Sequence, residues 1–148
     1  MRILLVTRGY PSHTGGHDEQ LAAKAARGLR QRAHTLQVLT TRLPHPDTRV
    51  ENGVHYQLAL DIDETSRVPI PVQFFLQRKR RERRNVAYLQ QVLSEFKPDI
   101  TLMWNLTGLQ CRLMWIVEQT PGTQAVYQAA SNSPGQPDAY SIYWRAAL

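Results

Sequence analysis

Arg2-Ile3-Leu4-Leu5-Val6-Thr7, then Gly15-Gly16, then a helix-forming run from Glu19 to about Arg32, then Thr35-Leu36-Gln37-Val38-Leu39-Thr40-Thr41 occupy the first forty-one residues. The opening hexapeptide is short and almost unbroken in apolar character, as a parallel strand buried on both faces requires. Tyr10-Pro11-Ser12-His13-Thr14-Gly15-Gly16 interrupts it. Beyond the glycines, Ala, Leu, Gln, Arg and Lys dominate, all good helix formers. The stretch 35–41 alternates and is β-branched, so it reads as a second strand. A right-handed βαβ unit follows, and with it an α/β fold built on an open parallel sheet.

The remaining chain extends the pattern. Pro44-His45-Pro46-Asp47 is a turn, and Val54-His55-Tyr56-Gln57-Leu58 reads as a third strand after Asn52-Gly53. Pro69 and Pro71 open a long amphipathic helix to about Phe96, with Val72, Phe75, Leu76, Val86, Leu89, Leu93 and Phe96 near helical spacing as its apolar side. Ile100 to Trp104 is a fourth strand. Cys111, Leu113, Met114, Ile116 and Val117 mark the buried side of the next helix, which Pro121-Gly122 ends. Gln124 to Gln128 is a fifth strand. From Ala130 to Pro137 the composition turns to Ser, Asn, Gly and Pro, and no repeat or low-complexity tract occurs.

In such a sheet, ligands sit outside the carboxyl ends of the strands, where loops lead into helix N-termini. Gly15 and Gly16 lie at that edge. Without Cβ atoms they let an anion approach the main chain, and the helix dipole favours negative charge there. The structural alternative is a loop that simply needs glycine. Neither G-x-G-x-x-G nor G-x-x-x-x-G-K-[ST] occurs, which counts against a dinucleotide oxidoreductase and a P-loop ATPase.

Taken in order, the apolar first strand, Tyr10-Pro11, Gly15-Gly16, the helix ending Gly28-Leu29-Arg30-Gln31-Arg32-Ala33-His34, and Val38-Leu39-Thr40 carry a resemblance. Together they resemble the amino-terminal domain of family 4 glycosyltransferases, retaining enzymes of the GT-B fold in the glycogen synthase and mannosyltransferase-like superfamily. Lys97-Pro98-Asp99-Ile100 with Trp104-Asn105-Leu106-Thr107-Gly108-Leu109 is similar to a later strand and helix start of that domain, Val126-Tyr127 to its fifth strand, and Tyr143-Trp144 to an aromatic pair. Three departures stand out. Ala33 replaces the family's Gly before His34, which a helix end tolerates if that residue avoids the left-handed region. One extra residue follows Gly16, so the acidic position is Asp18 or Glu19, and counting back from Ala25-Ala26-Arg27 favours Glu19. Where many relatives carry His-Asp after strand five, this chain has Gln128-Ala129-Ala130-Ser131-Asn132.

The resemblance implies a Rossmann-like domain with helices on both faces, the acceptor side of an enzyme that moves a sugar from a nucleotide diphosphate sugar to a hydroxyl acceptor. It implies that Gly15 and Gly16 bind the donor phosphate, that His17, Glu19, Asn105 and Thr107 line the loop and acceptor side, and that no cofactor or metal is used. Catalytic residues are not assigned. Asn105 either caps the following helix or hydrogen-bonds a sugar hydroxyl. The family's nucleotide-binding carboxyl-terminal domain is the expected partner, so this 148-residue chain is expected to be a single, truncated or excised domain, inactive alone.

Composition bounds the rest. One cysteine, Cys111, rules out an internal disulfide and fits a reducing cytoplasm. No stretch approaches the ~20 apolar residues that span a bilayer. The acidic run Asp61-Ile62-Asp63-Glu64 lacks the spacing of a calcium loop, and the five histidines show no metal or nucleophile signature. Net charge is +6, of which Arg78-Lys79-Arg80-Arg81-Glu82-Arg83-Arg84 contributes +5. A solvated helix face with all charges outward is the commonest meaning of such a run. The functional alternative is a non-catalytic α/β module, or an enzyme peripheral on the inner membrane face, that uses Arg78, Lys79, Arg80, Arg81, Arg83 and Arg84 against anionic lipid or an acidic partner. No aromatic residues interleave the patch, which argues against nucleic acid.

Overall fold

The computed structural model describes residues 1–10, 16–42, 49–64 and 66–128. Six strands form one sheet in the order β3-β4-β2-β1-β5-β6, with β1 (Arg2–Thr7), β2 (Thr35–Thr41), β3 (Arg49–Glu51), β4 (Val54–Leu58), β5 (Ile100–Trp104) and β6 (Gln124–Gln128). All neighbours are parallel except the edge pair β3 and β4. The fold is α/β and Rossmann-like.

Alternation along each strand sorts the core into two layers. Ile3 and Leu5 of β1, with Leu36, Val38, Val54 and Tyr56, face α1 (His17–Gln31), whose Ala22 and Ala26 are fully buried. Those alanines let the helix lie close to the sheet. Leu4 and Val6, with Leu39, Leu58 and Met103, face the other way onto α3 (Arg78–Phe96) and α4 (Cys111–Gln119) through Leu89, Leu93, Leu113 and Val117. Each such side chain contributes roughly 1.5–3 kcal/mol by leaving water. Helices cover both faces of the central strand β1, which is why Ile3 to Val6 are apolar without a break.

Asn52 and Gly53 have φ of 50° and 75°, the left-handed pair of a tight hairpin turn, and they join β4 to the short strand β3. The sequence pattern marks Asn52-Gly53 only as the entry to Val54–Leu58, and the three residues of β3 are too few to show a pattern of their own.

The long helix differs from its expected form. Ile70–Val72 (α2), a π-helical turn at Gln73–Gln77, and α3 follow without a gap. Their inner side begins with Gln73, Gln77, Arg81 and Asn85 at four-residue steps, and only from Leu89 onward is it apolar. Val72, Phe75 and Leu76, expected on the buried side, are exposed instead. The reason is the loop beneath. Residues 59–64 and 66–68 present irregular backbone that needs polar partners. Gln73 supplies three hydrogen bonds, accepting from Asp63 N–H and donating to the carbonyls of Asp63 and Val68. Cys111 also departs from expectation: it is exposed at the start of α4, while Leu113, Ile116 and Val117 are buried.

Candidate functional site

The strand order reverses direction between β1 and β5. From β1 the chain passes through α1 to β2 on one side, and from β5 through α4 to β6 on the other. The connecting helices lie on opposite faces, so the switch point, where an open α/β sheet forms its ligand crevice, lies at the carboxyl ends Thr7 and Trp104, which are partners in register. Loops from both strands meet there.

The first loop brings Gly9 and Tyr10 from β1 and Gly16 to the start of α1. Glu19 turns back so that its Oε2 accepts the Gly16 N–H at 3.1 Å. Glycine has no side chain to return the bond, so only half of a reciprocal cap is made. The carboxylate passes directly over Gly9, where a Cβ would fall 2.6 Å from Glu19 Cγ. Gly9 was not singled out in the sequence; its signal is steric, and a glycine beside a Tyr-Pro turn reads as turn chemistry. His17 and Asp18 are exposed in the first turn. Gly15 and His13 lie outside the described residues.

The second loop follows β5. Asn105 sits in the left-handed region at φ 42°, which Asn tolerates better than most residues. Its carbonyl accepts from Arg8 N–H at 3.1 Å, and its Oδ1 accepts from Thr107 Oγ1 at 2.8 Å. Its Nδ2 donates to Asp18 Oδ2 at 3.2 Å. Asn105 therefore joins three segments. It does not cap a helix: α4 begins at Cys111 behind the N-cap Gln110, so the cap expected at Asn105 falls five positions later.

A buried polar chain supports this loop from below. Asp61 donates its N–H to the Gly108 carbonyl at 2.9 Å, and its Oδ1 accepts from Gln110 Nε2 at 2.5 Å. Gln110 Oε1 in turn accepts from Asn85 Nδ2 at 2.8 Å, and Asn85 pairs both ways with the Ala59 backbone. Burial raises the Asp61 pKa, while the Gln110 hydrogen bond and the Arg78 and Arg81 charges oppose that rise. The acidic loop thus contributes an inward carboxylate that clamps the β5–α4 connection to the long helix. Asn85 and Gln110 carried no motif in the sequence, since a polar residue spaced like core is visible only once its partner is.

The basic run divides. Lys79, Arg80, Arg83 and Arg84 are exposed, and Arg78 stacks its guanidinium 5.0 Å from the Phe74 ring centre. Arg81 corrects the expectation of a wholly outward run. Its Nη1 donates to the carbonyls of Leu60 and Asp61 and to Gln73 Oε1, and its Nη2 donates to Gln77 Oε1. Ala33 is a second correction: it occupies the left-handed region at φ 59°, in a helix end where His34 N–H reaches the Leu29 carbonyl and Ala33 N–H that of Arg30. Glycine is the residue that motif favours.

A groove of about 690 Å³ lies at the opposite, amino-terminal edge of the sheet, between Leu93, Lys97, Trp115 and Pro121. It is remote from both loops, and no residue of the crevice lines it. Ala129 to Asn132, Tyr143 and Trp144, together with the turn at Pro44–Asp47, lie outside the described residues. Comparison with protein-family models, with curated proteins and with solved structures returns no match.

Proposed function

We propose that the chain is the acceptor-side, amino-terminal domain of a retaining glycosyltransferase that moves a sugar from a nucleotide diphosphate sugar to a hydroxyl acceptor. The observation that carries the reading is the meeting of the Gly16 and Asn105 loops at the carboxyl ends of β1 and β5, bridged by Asn105 and Asp18. The motif resemblance supplies the chemistry; the crevice is where an α/β sheet accepts such a ligand.

In this reading the donor diphosphate rests against the first turn of α1, where main-chain N–H groups stabilise charge gathering on the leaving group. Glu19 holds the Gly16 amide. The diphosphate reaches that amide by displacing the Glu19 carboxylate, which then swings away from Gly9. His17 and Thr107 border the acceptor side, and a second, nucleotide-binding domain completes the cleft.

The test is a nucleoside diphosphate titration followed by amide chemical shifts. Shifts confined to Gly16, His17 and Asp18, with Glu19→Gln tightening the binding several-fold by removing a competing charge, are the expected result. Shifts scattered over the surface, or none at millimolar ligand, sink the reading.

A further inference from the structure

The outward face of the long helix carries one continuous stripe, and its composition changes along the axis. Val72, Phe75 and Leu76 come first, exposed by 37%, 63% and 74%. Lys79, Arg80, Arg83 and Arg84 continue the same face over the next two turns, all exposed. Among the described residues no carboxylate pairs with these four cations. The acid within the run, Glu82, faces sideways to Arg112 at 3.7 Å. Of the inward positions, Gln73, Arg81 and Asn85 bond the loop below and Gln77 braces Arg81, which fixes the rotation of the helix and keeps Phe75 and Leu76 outward.

We propose that this stripe seats the protein on a bilayer surface containing anionic lipid, with Val72, Phe75 and Leu76 in the acyl boundary and Lys79, Arg80, Arg83 and Arg84 among the headgroup phosphates. Charge complementarity names the sign of the partner, and the apolar residues name its kind. A polyanion such as duplex nucleic acid or an acidic peptide satisfies four cations but offers nothing to two large apolar side chains projecting from a convex helix. An interface helix needs both. The apolar turn stands at the carboxyl edge of the sheet, where the chain leaves β4, so this edge lies nearest the lipid. The inference does not depend on sugar transfer: the stripe is outside the Gly16 and Asn105 loops.

Sedimentation of the full chain with vesicles tests it. Binding to phosphatidylcholine vesicles doped with phosphatidylglycerol, and not to phosphatidylcholine alone, is expected. Arg80→Ala with Arg84→Ala weakens that binding roughly thirty-fold, from about fivefold per cation. Phe75→Ser with Leu76→Ser weakens it at least about tenfold. All four side chains are exposed, and circular dichroism checks that each variant keeps its fold. Failure to sediment with anionic vesicles overturns the proposal. So does undiminished binding by the Phe75/Leu76 variant, or binding to duplex DNA or polyglutamate that matches binding to vesicles, since either makes the stripe a general polyanion patch.

Discussion

Glu19 Oε2 accepts the Gly16 N–H at 3.1 Å, and the carboxylate lies in the space that any side chain at residue 9 would fill. Position 9 and the cap of α1 are therefore one unit. Gly9→Ala displaces the flexible end of Glu19 and breaks the cap, which costs about 1 kcal/mol, the same as Glu19→Ala. The double variant costs little more than either single change. A double-mutant cycle in urea, read from midpoints at constant slope, checks this. Additive losses mean that Gly9 is needed for some other reason.

Ala33 carries a strain the sequence leaves open and the backbone settles. An L-residue in the left-handed region is penalised by its Cβ, and Ala33 has no polar side chain to compensate. Ala33→Gly is expected to stabilise the protein by about 0.5–1 kcal/mol, the relief exceeding the added freedom of the unfolded chain. Thermal and urea unfolding measure it. The position is exposed, so no packing change accompanies the substitution.

Five of the six strands were legible because each is short, apolar or alternating, and bounded by turn residues; residues 2–7, 35–41, 54–58, 100–104 and 124–128 fall where the pattern places them, while the three-residue edge strand Arg49–Glu51 is too short to show a pattern. The long helix was legible as a helix but not in its facing. Val72, Phe75 and Leu76 share the period of Leu89 and Leu93, and periodicity alone assigns all of them to the core. Gln73, Gln77, Arg81 and Asn85 have the same period, and they won the inner side because the irregular loop after β4 needed hydrogen bonds more than the crossing needed apolar contact. The glycine loop was visible at Gly16, while Gly9 was not, since its need arises from Glu19 arriving through space. Asn105 was singled out, but its two roles in holding Asp18 and Thr107 depend on a left-handed backbone that sequence does not announce.

Asp61 gives the fold a pH dependence of defined sign. Burial raises its carboxyl pKa in the folded chain above the unfolded value, so the folded state binds the proton more tightly. Its contribution to stability is complete below the unfolded pKa and is lost as pH rises through the raised, folded one. Asp61→Asn keeps an oxygen for Gln110 and removes the ionisation. The variant is expected to be more stable than the parent at neutral pH and to lose the fall in stability over the acid side of neutrality. Unfolding midpoints between pH 4 and 7 test both, and an unchanged profile shows that the carboxylate is adequately solvated.

Arg80 and Arg81 are adjacent in sequence and opposite in consequence. Arg81 ties three segments through four hydrogen bonds, to Leu60 and Asp61 carbonyls and to the side chains of Gln73 and Gln77. Burial opposes its charge, and nearby Asp63 supports it. Arg81→Ala takes the guanidinium donor from the Leu60 and Asp61 carbonyls and from Gln77 Oε1, leaving Gln73 Oε1 with the Asp63 N–H, and is expected to cost about 2–4 kcal/mol. Arg81→Lys recovers less than half, because a single ammonium cannot reproduce the planar fork that spans Gln73 and Gln77. Arg80→Ala changes stability by less than about 0.5 kcal/mol, since its side chain is solvated. Urea midpoints for the three variants decide it: equal losses at the two positions put Arg81 outward with its neighbour, whereas the expected separation makes Arg81 the residue that orients the helix and leaves Arg80 free for an external surface.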